Sequence, residues 1–219
     1  MNDLVTCTGM VLKSRPAGEN DRLITLLTGT EGKVNVFVRG ARKPSSRFSA
    51  SSESFAFGEF KLSHGQTAYY LSDADISNYF EEFRGDIELA SYASYFAEIA
   101  DYYCVEGDDS SSMLGLLYAS FLALNSSNFS NRFVRCIFVL RAIVLNGEFP
   151  GLPLGRTFND AVIAAVDRIE HAGLRELYTF KLTEKAEDEL FLLTTDYEKR
   201  FMDKHFKSLE VLNSLCFSL

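Results

Sequence analysis

Near Phe80 the hydrophobic pattern of this chain changes its period. Before that point apolar residues alternate in short runs. Beyond it Leu89, Tyr92, Phe96, Ile99 and Tyr103 recur at steps of three and four. Period two suits strands with one buried face, and a period near 3.6 suits amphipathic helices. The chain therefore reads as α+β: a β domain over residues 1–80, followed by an all-α helical domain over residues 81–219.

The front part carries five strand signals. Residues 4–14 are rich in β-branched and apolar types, and the Pro16 and Gly18 punctuation comes next. Residues 22–28 form a second run, and Thr30-Glu31-Gly32 turns it back into Lys33 as a hairpin. Val34, Val36 and Val38 then alternate around Phe37. Residues 55–63 alternate again with a slip near Gly58, which predicts a bulge. After the His64-Gly65 turn, residues 67–71 form the fifth run. Five short strands without a helix among them predict a small barrel, of OB-fold or SH3-like type on pattern alone.

The back part predicts five or six helices. Asp108 or Asp109 is placed to cap the apolar run 113–124. Phe133, Ile137, Leu140 and Val144 form a stripe that stops at Asn146-Gly147. Phe158, Val162, Ala165 and Ile169 form another. Thr183 caps a last long helix, acidic at its start and, through Lys199, Arg200, Lys204 and Lys207, basic at its end, as the helix dipole favours. These aromatic stripes read as core. No tryptophan is present, and 19 Phe with 10 Tyr supply the large core side chains.

Charge is unevenly distributed. The net formal charge is −8, yet residues 1–61 carry +3 and the remainder −11. No acid occurs between Glu31 and Glu53, while Arg39, Arg42, Lys43 and Arg47 fall in that interval. A strand that feeds a cationic loop broken by Gly, Pro and Ser suits a phosphate backbone. Arg15, Arg22 and Lys33 extend the track. Phe37, Phe48, Phe55 and Phe57 are the aromatic candidates for base stacking. Phe37 lies on the face opposite the valines, so it is exposed if they face the core and buried if they do not. Arg39 shares its face and favours exposure.

Catalytic chemistry finds no constellation. His64, His171 and His205 have no partner at nucleophile or metal spacing, and no phosphate-loop, dinucleotide or nucleophile-elbow motif is present. Cys7, Cys104, Cys136 and Cys216 are scattered without a paired spacing, which fits small core residues in a reducing cytosol. There is no signal layout and no apolar run of membrane-spanning length, so a soluble cytoplasmic protein is expected. A binding protein rather than an enzyme is expected.

The stretch from Gly9 to Arg47, GMVLKSRPAGENDRLITLLTGTEGKVNVFVRGARKPSSR, resembles the RecO family of bacterial recombination mediators. A weaker likeness continues through Phe80, including Asp73-Ala74-Asp75, and returns at Phe206 to Leu212. The resemblance implies an N-terminal OB-fold and a helical C-terminal domain. It implies binding to single- and double-stranded DNA and annealing of complementary strands. It also implies partnership with RecR and with the tail of single-stranded-DNA-binding protein (SSB), so that RecA is loaded. Many relatives carry a zinc module in the helical half; here the loop 147–155 stands in that place without a cysteine, so neither zinc nor another cofactor is expected. Arg132 and Arg135, beside Phe133, Ile137 and Leu140, are the candidates for a groove that takes the acidic tail. The competing readings are an adaptor whose basic loop is incidental and an RNA-binding OB protein.

Overall fold

The computed structural model describes residues 4–65 and 68–216, the side chain of Cys216 excepted. The chain forms two compact units: residues 1–85 with 100–114, and residues 86–99 with 115–219.

The first unit is a closed barrel of β1 (Leu4–Ala17), β2 (Asp21–Thr28), β3 (Lys33–Val38), β4 (Phe57–His64) and β5 (Tyr69–Asn78). Its strand order is β1-β2-β3-β5-β4, with β4 returning to β1. All pairs are antiparallel except β3 with β5, which is parallel. That parallel closure distinguishes an OB-like barrel from an all-antiparallel one, a choice that pattern alone leaves open.

Alternation decides what lies inside. Val34, Val36 and Val38 point into a core with Cys7, Val11, Ile24, Leu26, Phe60, Leu62 and Leu71. Phe37 and Arg39, of the opposite phase, point out. The phase slip expected near Gly58 does not occur in that strand: Ala56, Gly58, Phe60 and Leu62 are buried in one unbroken phase, and Phe57 lies off it. The bulge at this point is on the partner strand, where Phe57 pairs with Asn78 and Gly58 with Ile76, so Ser77 of β5 is the extra residue. A Cβ on Gly58 would lie 2.2 Å from the Asp75 carbonyl oxygen, which explains the glycine. A second irregularity leaves Ser72 unpaired between Leu71 and Asp73. β5 runs well past Leu71, the end expected from the sequence, because its polar residues 72, 73 and 75 belong to this bulged stretch. Thr67, the expected start of the strand, lies outside the described residues.

The β2–β3 turn is held by the segment 105–110. Lys33 donates its amide to Val105, Gly107 to Glu31, and Ser110 to Gly29. Asp109 accepts the Ser111 amide at the start of α2 (Ser111–Leu124), the capping role expected of Asp108 or Asp109.

The second unit is built on α3 (Asn131–Leu145), which begins at Ser130, whose hydroxyl accepts the Phe133 amide. Ten of its residues, from Phe133 to Ile143, are buried, so the helix is enclosed on all sides. It ends at Asn146 and Gly147, with Gly147 at φ 72° and Glu148 donating back to Ile143. Around it pack the first turns of α1 (Ile87–Tyr103), where Phe96 stacks on Phe138 at 4.2 Å, and α4 (Asp160–His171) and α5 (Glu184–Phe201). Thr183 caps α5 through the Ala186 amide, as expected. The expected single last helix is two: α5 ends at Met202, and α6 (Lys207–Cys216) lies beyond. Buried Met202 and Phe206 anchor the corner, and no glycine or proline marks it in the sequence. No helix among the described residues is long and apolar enough to cross a membrane.

Gly32 is the most constrained turn residue of the barrel. Its φ is +65°, and a Cβ there would lie 2.1 Å from the Val105 carbonyl oxygen. Gly32→Ala is expected to lower stability by roughly 2–4 kcal/mol, from left-handed strain and overpacking together, as read by urea denaturation.

Candidate nucleic-acid interface

Of the seven cations and four rings that the sequence nominates on the barrel, only some share a surface. Arg15, Arg39, Arg42, Lys43 and Arg47 are exposed. Arg22 and Lys33 are not part of that surface. Arg22 has the inward phase of β2, opposite Val38, and reaches Glu53 at 2.6 Å and the Ser14 hydroxyl at 3.0 Å. Lys33 reaches the Asp101 carboxylate at 3.0 Å and also donates to the Asp101 carbonyl. Each is about three-quarters covered, so these two act as internal ties rather than as phosphate contacts.

The cationic loop is fastened at both ends. Asp21 accepts the Gly40 amide at 2.7 Å, Asn20 the Arg42 amide, and the Gly18 carbonyl the Arg42 guanidinium. The start of the loop thus lies against the β1–β2 turn. Further along, Arg47 donates to the Ser72 carbonyl on β5 and covers the Phe48 ring. Asp73 lies 3.8 Å from Arg47 and 3.6 Å from Lys61. Lys61 belongs to the same surface, although in the sequence it contributes only to the charge sum. Among the described residues no ion pair joins Arg15, Arg39, Arg42 or Lys43 to a carboxylate.

The stacking candidates also separate. Phe37 is half-buried on the outer face, its ring 5.8 Å from Tyr70 and 27° from parallel. Arg39 places its guanidinium carbon 4.5 Å from the centre of the Tyr70 ring. Phe48 instead packs against the barrel core, and Phe55 meets Phe83 edge-on at 5.9 Å. Sequence reasoning misses Tyr70, though its phase is available. Leu71 must face inward, so Tyr70 faces out.

The groove expected on α3 does not exist. Phe133, Ile137 and Leu140 are at most 2% exposed, and Arg135 is 5% exposed. Arg135 donates to Glu198 at 2.7 Å inside the helical unit. Arg132 is half-exposed but is tied to Asp188 and, at 3.6 Å, to Glu187. The spacing of the stripe suits one face of a surface helix, whereas neighbours cover both faces of α3.

Fold and site together define a two-part protein: an OB-like barrel with cations and rings on its outer wall, and a helical companion domain. Residues 1–80 match the family model "Recombination protein O N terminal", and residues 84–153 match "Recombination protein O C terminal". DNA repair protein RecO of Acetivibrio thermocellus is 25% identical over 247 aligned positions, 98% of each chain. That of Desulforamulus reducens is 24% identical, over 94% of this chain and 93% of its own. That of Bacillus subtilis is 38% identical over 98 residues, 45% of this chain and 38% of its own. The chain belongs to the RecO family of DNA repair and recombination proteins.

The zinc module implied for many relatives does not fit this chain. The loop 147–155 holds one carboxylate, Glu148, and neither cysteine nor histidine. It is held instead by Tyr197, whose hydroxyl donates to the Gly151 carbonyl while its ring meets Phe149 edge-on at 5.7 Å. Among the described residues no group of three potential ligands is arranged for a metal.

The buried groups can be tested in two ways. Arg135→Met leaves Glu198 buried and unpaired and is expected to cost about 3–5 kcal/mol, most of it recovered in the Arg135→Met, Glu198→Leu double variant, measured by chemical denaturation. Burial, with Glu31 and Glu59 adding to it, pushes the Cys7 thiol up to about 11, and burial pushes Cys136 up to about 12. Both stabilise the fold below the ordinary thiol range, and that contribution is lost as pH rises through it toward the folded values. At pH 8 neither thiol is expected to react with an aryl disulfide reagent until denaturant is added, as read by site-resolved mass spectrometry.

Proposed function

We propose that this chain binds single- and double-stranded DNA through the loop 39–47 and the adjoining outer wall of the barrel, and anneals complementary strands. In this reading the barrel, residues 1–80, holds DNA. The helical domain, residues 81–219, serves partners: RecR, and the tail of SSB, so that RecA is loaded onto coated strands. The work is cytoplasmic. The observation that carries the reading is that Arg15, Arg39, Arg42 and Lys43 are exposed and unneutralised in a family of DNA repair proteins.

Annealing needs no catalytic side chain. Two polyanions repel, and a cationic wall lowers that cost while counterions leave for bulk solution. The fastening of Gly40 and Arg42 to the β1–β2 turn supports this. A loop already ordered loses little freedom when it meets a phosphate chain. The partner surface is not the α3 stripe, which is enclosed.

The test is a salt titration of binding to a labelled thymidine oligonucleotide. Four phosphate contacts give a slope of about −3 in log affinity against log salt. Arg39→Glu, Arg42→Glu and Lys43→Glu together are expected to flatten that slope and to weaken binding on the order of a hundredfold, with RecR binding retained. A slope near zero in the unmodified protein, or full affinity in the triple variant, would overturn the reading.

A further inference from the structure

Cations alone cannot tell a single strand from a duplex, since both present phosphates. The outer wall of the barrel carries a second element. The register aligns Arg15 with Leu23, Leu23 with Phe37, and Phe37 with Tyr70. These four residues therefore form one row running across β1, β2, β3 and β5, with side chains on the same face. Arg15 closes one end of the row, and Arg39 lies over the ring at the other.

The two rings are not part of the barrel core. The half-buried residues that pack on that core are Phe48, Tyr69, Ala74, Ile76 and Tyr79. Phe37 and Tyr70 instead touch one another. Gly65 leaves room for this arrangement: a Cβ there would lie 2.6 Å from the Tyr70 Cε2 atom, so the ring would have to shift. A rigid pair of rings on the outside of a sheet, flanked by a guanidinium at each end, has the chemistry of a surface for flat apolar faces joined by phosphates.

Resting on the DNA-binding reading above, we infer that the Leu23–Phe37–Tyr70 row is a base-stacking step that makes this surface selective for unpaired strands, with Tyr70 as its specificity-determining residue. A duplex keeps the faces of its bases stacked inside and offers only edges and phosphates. An unpaired strand offers faces, and each stacked base adds affinity that does not depend on counterion release. Arg15 and Arg39, at the two ends, take the phosphates on either side.

The experiment uses the full chain. Tyr70→Leu keeps apolar bulk and removes the ring. It is expected to lose about tenfold in affinity for a thymidine oligonucleotide while duplex affinity and the salt slope stay unchanged. Tyr70→Phe is expected to retain wild-type affinity. Because the natural chain has no tryptophan, Phe37→Trp introduces a single indole at the row. Its fluorescence is expected to fall with the oligonucleotide and not with heparin, a polyanion without bases. Unchanged single-strand affinity in Tyr70→Leu, or equal quenching by heparin, overturns the stacking step while salt-dependent binding leaves the DNA-binding reading standing. Absence of binding in the unmodified protein removes both. Should Tyr70→Leu not fold, the Phe37→Trp comparison alone decides.

Discussion

The period-two alternation of β3 is the constraint on which the rest of the barrel depends. Val34, Val36 and Val38 are fully buried, and burying them fixes the rotation of the strand. Each buried valine contributes about 1.5–3 kcal/mol of transfer free energy, so a one-residue slip, which would expose all three, is strongly disfavoured. The same rotation sends Lys33, Asn35, Phe37 and Arg39 outward. Packing inside the barrel therefore determines the chemistry on its wall, and no separate device is needed to present the ring or the guanidinium.

Beyond Arg39 the chain is placed by hydrogen bonds rather than by burial. Gly40 turns it at φ 67°, which frees the Gly40 amide to reach Asp21. The loop then runs along the β1–β2 turn and on toward β5, where Arg47 is held by the Ser72 carbonyl. Ser72 is one of the two bulged residues of β5, and its carbonyl is the one that accepts from Arg47. The same strand carries Tyr70 to the side of Phe37.

Much of this architecture is legible in the residues, for identifiable reasons. Strand existence, the inward valines, the Asn146-Gly147 stop and the Thr183 cap each rest on a local rule that tertiary context does not override. The phase slip expected near Gly58 misleads, because the extra residue belongs to the partner strand β5. The RecO resemblance carries the choice between barrel types, because the parallel β3–β5 pairing joins strands distant in sequence and leaves no local mark. Arg22, Lys33 and Arg135 mislead for one shared reason. A cation looks alike in sequence whether its carboxylate lies nearby or not, and Glu53, Asp101 and Glu198 are 31, 68 and 63 positions away. The corner after Met202 leaves no signal because buried side chains, rather than a helix breaker, end α5.

The local balance of charge explains how an acidic chain can carry a basic surface. Acids more than about 8 Å from a bound phosphate are largely screened at physiological salt, so the net −8 of the chain matters less than the acids near the loop. Among them Glu19, on the β1–β2 turn, is exposed and makes no ion pair among the described residues, and three others are engaged. Asp21 accepts the Gly40 amide, Glu53 holds Arg22, and Asp73 sits between Arg47 and Lys61. Two cations of the basic front are committed to internal ties, and through them Glu53 and Asp101 are neutralised. Arg15, Arg39, Arg42 and Lys43 keep their charge for solvent. A field of four exposed cations is weak by the standard of duplex-binding proteins, and salt erodes it quickly. Aromatic contact is not eroded in the same way. If the stacking proposal holds, a surface that combines few cations with a ring pair would favour strands whose bases are free, and that preference would grow as ionic strength rises.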